Sequence, residues 1–346
     1  MMVRIVTEEP PFDTDDPPAS SGRWLKRLSL FILLACICTG GVITAVFTSY
    51  LGRPSLFQND ANVIIPAGAG RVVISARLNS AGLDHPEWVM RLEEIRRGKT
   101  YVPKAGEYHL PKGTSLTAAM DILHAGNTVQ HSFTIPEGHT VRQVLDQLYG
   151  DDKLTGLITP IPIEGSLLPE TYFFERGAKR NDLILRMQQS QELSFAALWA
   201  ERAEGLPVTT LKDAIILASI VEKETGQDSE RTLVASVFIN RLNKNMKLQS
   251  DPTTLYGLVQ SGTPVKKLLR RHLDHDSLWN TYKYKGLPPT PITNPGRESL
   301  AAVLNPAVSD YLYFVANGDG GHNFAKTLDE HNKNVRIWRK IQKSRE

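Results

Sequence analysis

Leu28 to Tyr50 reads LSLFILLACICTGGVITAVFTSY, 23 residues without a charge. As a helix this run spans about 34 Å, enough to cross a hydrocarbon core of about 30 Å. Arg23, Lys26 and Arg27 precede it, and only Arg53 follows closely. The positive-inside rule then places the N-terminus in the cytoplasm and residues 51–346 across the membrane. The run is long for the core of a cleaved signal peptide, and no A-x-A site follows it directly. A retained single-pass anchor over 28–50 is therefore expected. Both cysteines, Cys36 and Cys38, lie inside the run, so the rest of the chain has none to staple it. Before the run, TEEPPFDTDDPPASSG is acidic, proline-rich and poor in apolar groups, which predicts a disordered cytoplasmic tail over 1–27.

The 346 residues exceed one typical domain, so two folded units are expected beyond the anchor. A net charge of +3 gives no argument for a nucleic-acid partner. Three stretches share one pattern: IIPAGAGRVVISARLNSAG (64–82), HLPKGTSLTAAMDILHAG (109–126) and FTIPEGHTVRQVLDQLYG (133–150). Each reads as an apolar strand, a Pro-x-Gly turn and an amphipathic helix. Proline fixes φ before the turn, and glycine permits positive φ within it. Thr140 and Gln143 carry a capping-box signature, and Thr114 or Ser115 suits the cap of the second copy. A small α+β module over 51–165 is expected. Its PKGTSL turn resembles that of LysM domains, which bind polymers of N-acetylglucosamine.

A mainly helical domain with long loops and a small sheet is expected over 166–346, making the chain α+β outside its single transmembrane helix. LKDAIILASIVEKETG (211–226) has no strand alternation and no breaker before Gly226, so it predicts a largely buried helix. Helices are also expected from Asp182 to Glu204, over 229–242, and from Asp251-Pro252 onward, where proline at the first position loses no hydrogen bond. Loops rich in Pro, Gly, Asn and Tyr follow (280–296), then the turn GDGGHNF and a basic terminal helix.

Nucleophile motifs are absent: there is no G-x-S-x-G, and no cysteine outside the apolar run. His272 and His275 lack the further ligands of a metal site, and no phosphate-binding loop is present. A carboxylate working as acid and base remains. Glu222 and Glu224 end the 211–226 helix, where burial and the helix dipole both raise a carboxyl pKa. They lie about 200° apart around the helix, so both cannot enter one cleft. Helical geometry alone does not choose between them. Downstream Tyr256, Asn280, Tyr282, Tyr284, His322 and Asn323 suit the walls of a sugar cleft.

ASIVEKET, SERTLVASVFINRL, LQSDPTTLYG, NTYKYKGLPPTPITNPG and YLYFVANGDGGHNF occur in this order. Together they resemble the YceG-like endolytic murein transglycosylases. The resemblance covers about residues 170–335. It implies cleavage of the β-1,4 bond between N-acetylmuramic acid and N-acetylglucosamine inside peptidoglycan strands, leaving 1,6-anhydro ends and limiting nascent strand length. It implies Glu224 as the catalytic residue, with Gln249, Asp251, Tyr282 and His322 as cleft residues and no metal or cofactor. Peptidoglycan strands, the inner membrane and cell-wall synthases are the implied surroundings, with the catalytic domain in the periplasm. The alternative is a non-catalytic, membrane-anchored glycan-binding scaffold.

Overall fold

The computed structural model describes residues 21–52, 60–263, 265 and 268–345. Of the tail expected to be disordered over 1–27, residues 1–20 lie outside them, whereas residues 21–27 are helical. Helix α1 (Ser21–Leu51) is long and apolar enough to cross a membrane, and its apolar side chains are exposed along most of its length. It begins earlier than the apolar run because Trp24 and Leu25 continue the helix through the basic segment. The remaining residues are mixed helix and small sheets, and the chain forms two compact units, Met1–Thr128 and Val129–Glu346.

In the first unit β1 (Ala61–Ile65) pairs antiparallel with β2 (Gly106–Leu110), Val63 opposite Tyr108. Helices α2 (Arg71–Ser80), α3 (Glu87–Arg97) and α4 (Leu116–Ala125) complete it. Val63, Ile65, Ile74, Leu78, Tyr108 and Met120 form its core, and Leu51 at the end of α1 is buried in that same core. Burying a side chain of this kind contributes about 1.5–3 kcal/mol, so the last turn of α1 is fixed to the unit. Buried Glu93 is neutralised by Arg96 and Arg97, and Arg97 also reaches Asp121 on α4.

The second unit begins with β3 (Gln130–Thr134) and α5 (Val141–Gly150). Then come β4 (Thr171–Glu175), α6 (Arg180–Ala200), α7 (Leu211–Glu224), α8 (Asp228–Asn243) and α9 (Asp251–Gln260). It ends with α10 (Arg297–Leu304), the antiparallel pair β5 (Tyr313–Ala316) and β6 (His322–Ala325), and α11 (Leu328–Arg345). The boundary between units therefore precedes the expected position at 165. The cause is long-range pairing: β3 runs antiparallel to β4, with Phe133 opposite Tyr172. Phe133, Val144 and Leu148 then share a core with Phe174, Leu183 and Met187. The helix expected from Asp182 starts at Arg180 and stops at Ala200.

All three Pro-x-Gly turns form as read. Ala69, Thr114 and His139 donate their backbone N–H to the carbonyls of Pro66, Pro111 and Pro136 at 3.1, 3.1 and 3.3 Å. Gly68, Gly113 and Gly138 have φ of 73°, 76° and 73°, a conformation that side chains disfavour. Ser115 caps α4, and Thr140 and Gln143 close the capping box of α5.

Helix α7 is the axis of the second core. Thr210 caps it, accepting from Asp213 N at 3.1 Å. Every residue from Ile216 to Val221 is buried, against Phe195 of α6, Val234 and Phe238 of α8, and Leu300 and Val303 of α10. A helix surrounded on all sides needs no polar face, which explains its nearly continuous apolar run. Extended backbone at Thr225 ends it just after Glu224, at the edge of this core.

Candidate active site

The two carboxylates at the end of α7 answer to different partners. Glu222 Oε2 accepts from the backbone N–H of Gly296 at 2.9 Å. Gly296 is the N-cap of α10, so this carboxylate sits at the positive end of a helix dipole. Glu224 turns the other way. Its Oε1 accepts from Ser250 Oγ at 2.5 Å, and it lines a cavity of about 480 Å³ together with Arg241, Gln249, Asp251, Tyr282 and Tyr313.

The segment opposite Glu224 is held by backbone and hydroxyl contacts. Gln249 N and Ser250 N donate to Thr281 O and Thr281 Oγ1 at 3.2 and 2.9 Å. Thr253 and Thr281 hydroxyls meet at 2.8 Å, both buried. Gln249 has φ of 53°, an uncommon conformation for a side-chain-bearing residue. Such local strain persists only where surrounding contacts over-determine it. Asp251 and Tyr282 meet across the cavity, Tyr282 Oη donating to Asp251 Oδ1 at 2.6 Å.

Arg241 joins the cavity's walls. Its Nε donates to Leu312 O at 2.6 Å and its Nη1 to Leu248 O at 2.8 Å, while its guanidinium lies 5.2 Å from the centre of the Tyr313 ring. One buried cation thus fixes α8, the segment leading into α9, and β5.

Glu224 is pushed up to about 7 by desolvation; the Ser250 hydrogen bond opposes that rise, the Asp251 charge adds to it, and the Arg241 charge opposes it. A carboxyl of this kind is protonated near neutrality and still able to give the proton up, as general acid–base work requires. The cavity is open to solvent beside it, so a substrate has access to the carboxyl group.

Glu224, Gln249, Asp251 and Tyr282 therefore meet in one cavity. His322 lies in a neighbouring one of about 380 Å³, which Glu224 also lines. There its Nδ1 is 2.8 Å from Glu230 Oε2, and its ring stands edge-on to Phe314. Other residues singled out for the cleft have structural work. Asn280 is fully buried, donating to Leu273 O and His275 O. Tyr284 binds Asp276 at the surface, and Tyr256 donates to Glu164. Sequence reasoning missed Ser250, Arg241 and Tyr313. The signal for Arg241 was a lone cation inside an apolar helical run; Ser250, beside the helix start read at Asp251-Pro252, carried none.

The YceG-like family model matches residues 63–337, a range that includes all of these positions. A Bacillus subtilis (strain 168) protein named endolytic murein transglycosylase is 32% identical, over 80% of this chain and 84% of its own. A Streptococcus pneumoniae protein of the same name is 29% identical, over 89% of this chain and 64% of its own. The crystal structure of a yceG-like protein from Listeria monocytogenes superposes with a TM-score of 0.51 at 30% identity, covering 80% of this chain and 99% of that one.

Proposed function

The chain belongs to the YceG-like family, and on that premise we propose that it is an endolytic murein transglycosylase with Glu224 as its general acid and base. The bond cleaved is the β-1,4 link between N-acetylmuramic acid and N-acetylglucosamine inside a glycan strand. Protonated Glu224 gives its proton to the leaving O4 as the C1–O4 bond breaks. The C6 hydroxyl of the same muramic acid then closes on C1, and the Glu224 carboxylate takes the hydroxyl proton. The C1–O6 bond replaces C1–O4, Glu224 ends protonated as it began, and no water is consumed. One carboxylate serves both steps, unlike the paired acids of most glycosidases.

The observation that carries this reading is the raised proton affinity of a carboxyl beside an open, polar-walled cavity. Ser250 holds Oε1, leaving Oε2 for the glycosidic oxygen. Gln249, Asp251 and Tyr282 supply hydrogen-bonding groups for sugar hydroxyl and acetamido groups.

Helix α1 is the single membrane anchor in this reading. Arg23, Lys26 and Arg27 before it favour a cytoplasmic N-terminus and a periplasmic catalytic unit. A glycan cleaver held at the membrane meets strands as cell-wall synthases extrude them, so it would limit their length. The PKGTSL turn between β2 and α4 supports a LysM-like glycan contact in the first unit.

Digestion of purified peptidoglycan by the detergent-solubilised chain, with product ends identified by mass, tests the reading. Internal cuts with 1,6-anhydro ends are expected. Reducing ends would make the enzyme a hydrolase, and binding without cleavage would make it a scaffold.

A further inference from the structure

A second cavity, of about 590 Å³, opens in the same unit, and nothing in the proposed reaction uses it. Pro252, Leu255, Tyr256 and Val259 of α9 line it, at helical spacing i, i+3, i+4 and i+7. The buried residues of α9 lie elsewhere, at Thr253, Thr254, Gly257 and Leu258. Tyr256 also packs against the second core and Trp279, but Pro252, Leu255 and Val259 face the cavity as an apolar stripe without being spent on the core, and Val259 is 47% exposed. Such a stripe on an open groove is a feature of sites that take peptides.

The rim of this cavity is charged. Among the described residues neither Arg142 nor Asp146, both on α5, has an ion-pair partner. Lys223 has only a long contact, 3.4 Å, to the Gly138 carbonyl. The inner wall is rigid: Glu164 accepts from Val141 N at 2.8 Å and from Tyr256 Oη at 3.3 Å, joining α5 to α9. The cavity is next to the one around Glu224. Lys223 and Pro252 line one, while their chain neighbours Glu224 and Asp251 line the other. Adjacent Cα atoms lie about 3.8 Å apart, and an extended five-residue peptide reaches about 16 Å. A peptide hanging from a sugar at Glu224 is long enough to pass over that wall.

We propose that this second cavity binds the stem peptide of the peptidoglycan strand being cut, so that the enzyme selects strands whose muramic acids carry peptides. Peptidoglycan stems combine alanine methyl groups, carboxylates and a diamino acid. The α9 stripe accommodates the methyl groups, Arg142 and Lys223 pair with carboxylates, and Asp146 with the ammonium group. The inference rests on the transglycosylase reading for the identity of the strand.

The test compares two substrates with the detergent-solubilised full chain: uncross-linked strands with their stems, and the same strands stripped by an amidase. Wild type should show kcat/KM about tenfold higher on the peptide-bearing strand, the scale of one well-buried apolar contact. Arg142→Ala and Val259→Asp change exposed side chains and should lose that preference while cleaving stripped strands at the wild-type rate. Equal wild-type rates on the two substrates would overturn the stem site and leave the transglycosylase reading standing. So would variants that keep the full preference. Cleavage of neither substrate would overturn both.

Discussion

Ser250 occupies the N-cap position of α9, yet its hydroxyl donates to Glu224 Oε1 at 2.5 Å and caps nothing in its own helix. A serine cap is typically worth about 1 kcal/mol to a helix. Here Asp251 in the first turn and Pro252 beside it favour the helix start without the cap. The hydroxyl is directed instead to the carboxyl group to which the proposed chemistry is assigned. Its bond favours ionised Glu224 and works against the desolvation that raises it.

Ser250→Ala should therefore move the pH profile of kcat upward. In the proposed reaction protonated Glu224 acts first, so the rate should fall as pH rises through about 7 in the wild type. Without the hydroxyl the carboxyl keeps its proton to higher pH, and the falling limb shifts alkaline. The thermal midpoint should change little, because no cap is lost. An unmoved limb would show that the hydrogen bond does not tune Glu224.

Asp251→Asn should shift the same limb the other way. The Asp251 charge raises Glu224, and removing it lowers the proton affinity. Asparagine keeps an oxygen that can accept from Tyr282, so the cavity wall should hold. A rate profile measured beside that of Ser250→Ala should show opposite displacements. Displacement in one common direction would contradict the electrostatic account.

Glu222→Ala should act on stability. It removes the acceptor for Gly296 N at the start of α10. Loss of a part-buried, charge-assisted bond costs about 1–3 kcal/mol. Urea unfolding of the solubilised chain should show a reduced midpoint, with turnover reduced far less than by loss of Glu224. A variant as stable as wild type but inactive would reverse the roles given to the two glutamates.

What could be read from the sequence follows the range over which its causes act. Pro66, Pro111 and Pro136 with their partner glycines restrict φ locally, so three turns and their helices were readable. The continuous burial of Ile216 to Val221 in α7 was readable because that stretch carries no charge. The pairing of β3 with β4 was not, since Phe133 and Tyr172 meet only after the chain has passed through α5 and a long loop. The opposite directions of Glu222 and Glu224 followed from helical geometry, but their roles depended on Gly296 and Ser250. Those partners lie 74 and 26 residues away, and no local pattern points to them. Arg241 reaches Leu312 across 71 residues for the same reason.

The central claim is that Glu224 moves the proton in both directions. Glu224→Gln keeps the size of the side chain and an oxygen to accept from Ser250, but it has no proton to give and no carboxylate to take one back. General acid–base catalysis contributes about 10²–10⁴-fold, so 1,6-anhydro ends from purified peptidoglycan, counted by mass against wild type, should fall by at least about a hundredfold. Retention of more than about a tenth of the wild-type rate, above what loss of that role permits, would contradict the assignment.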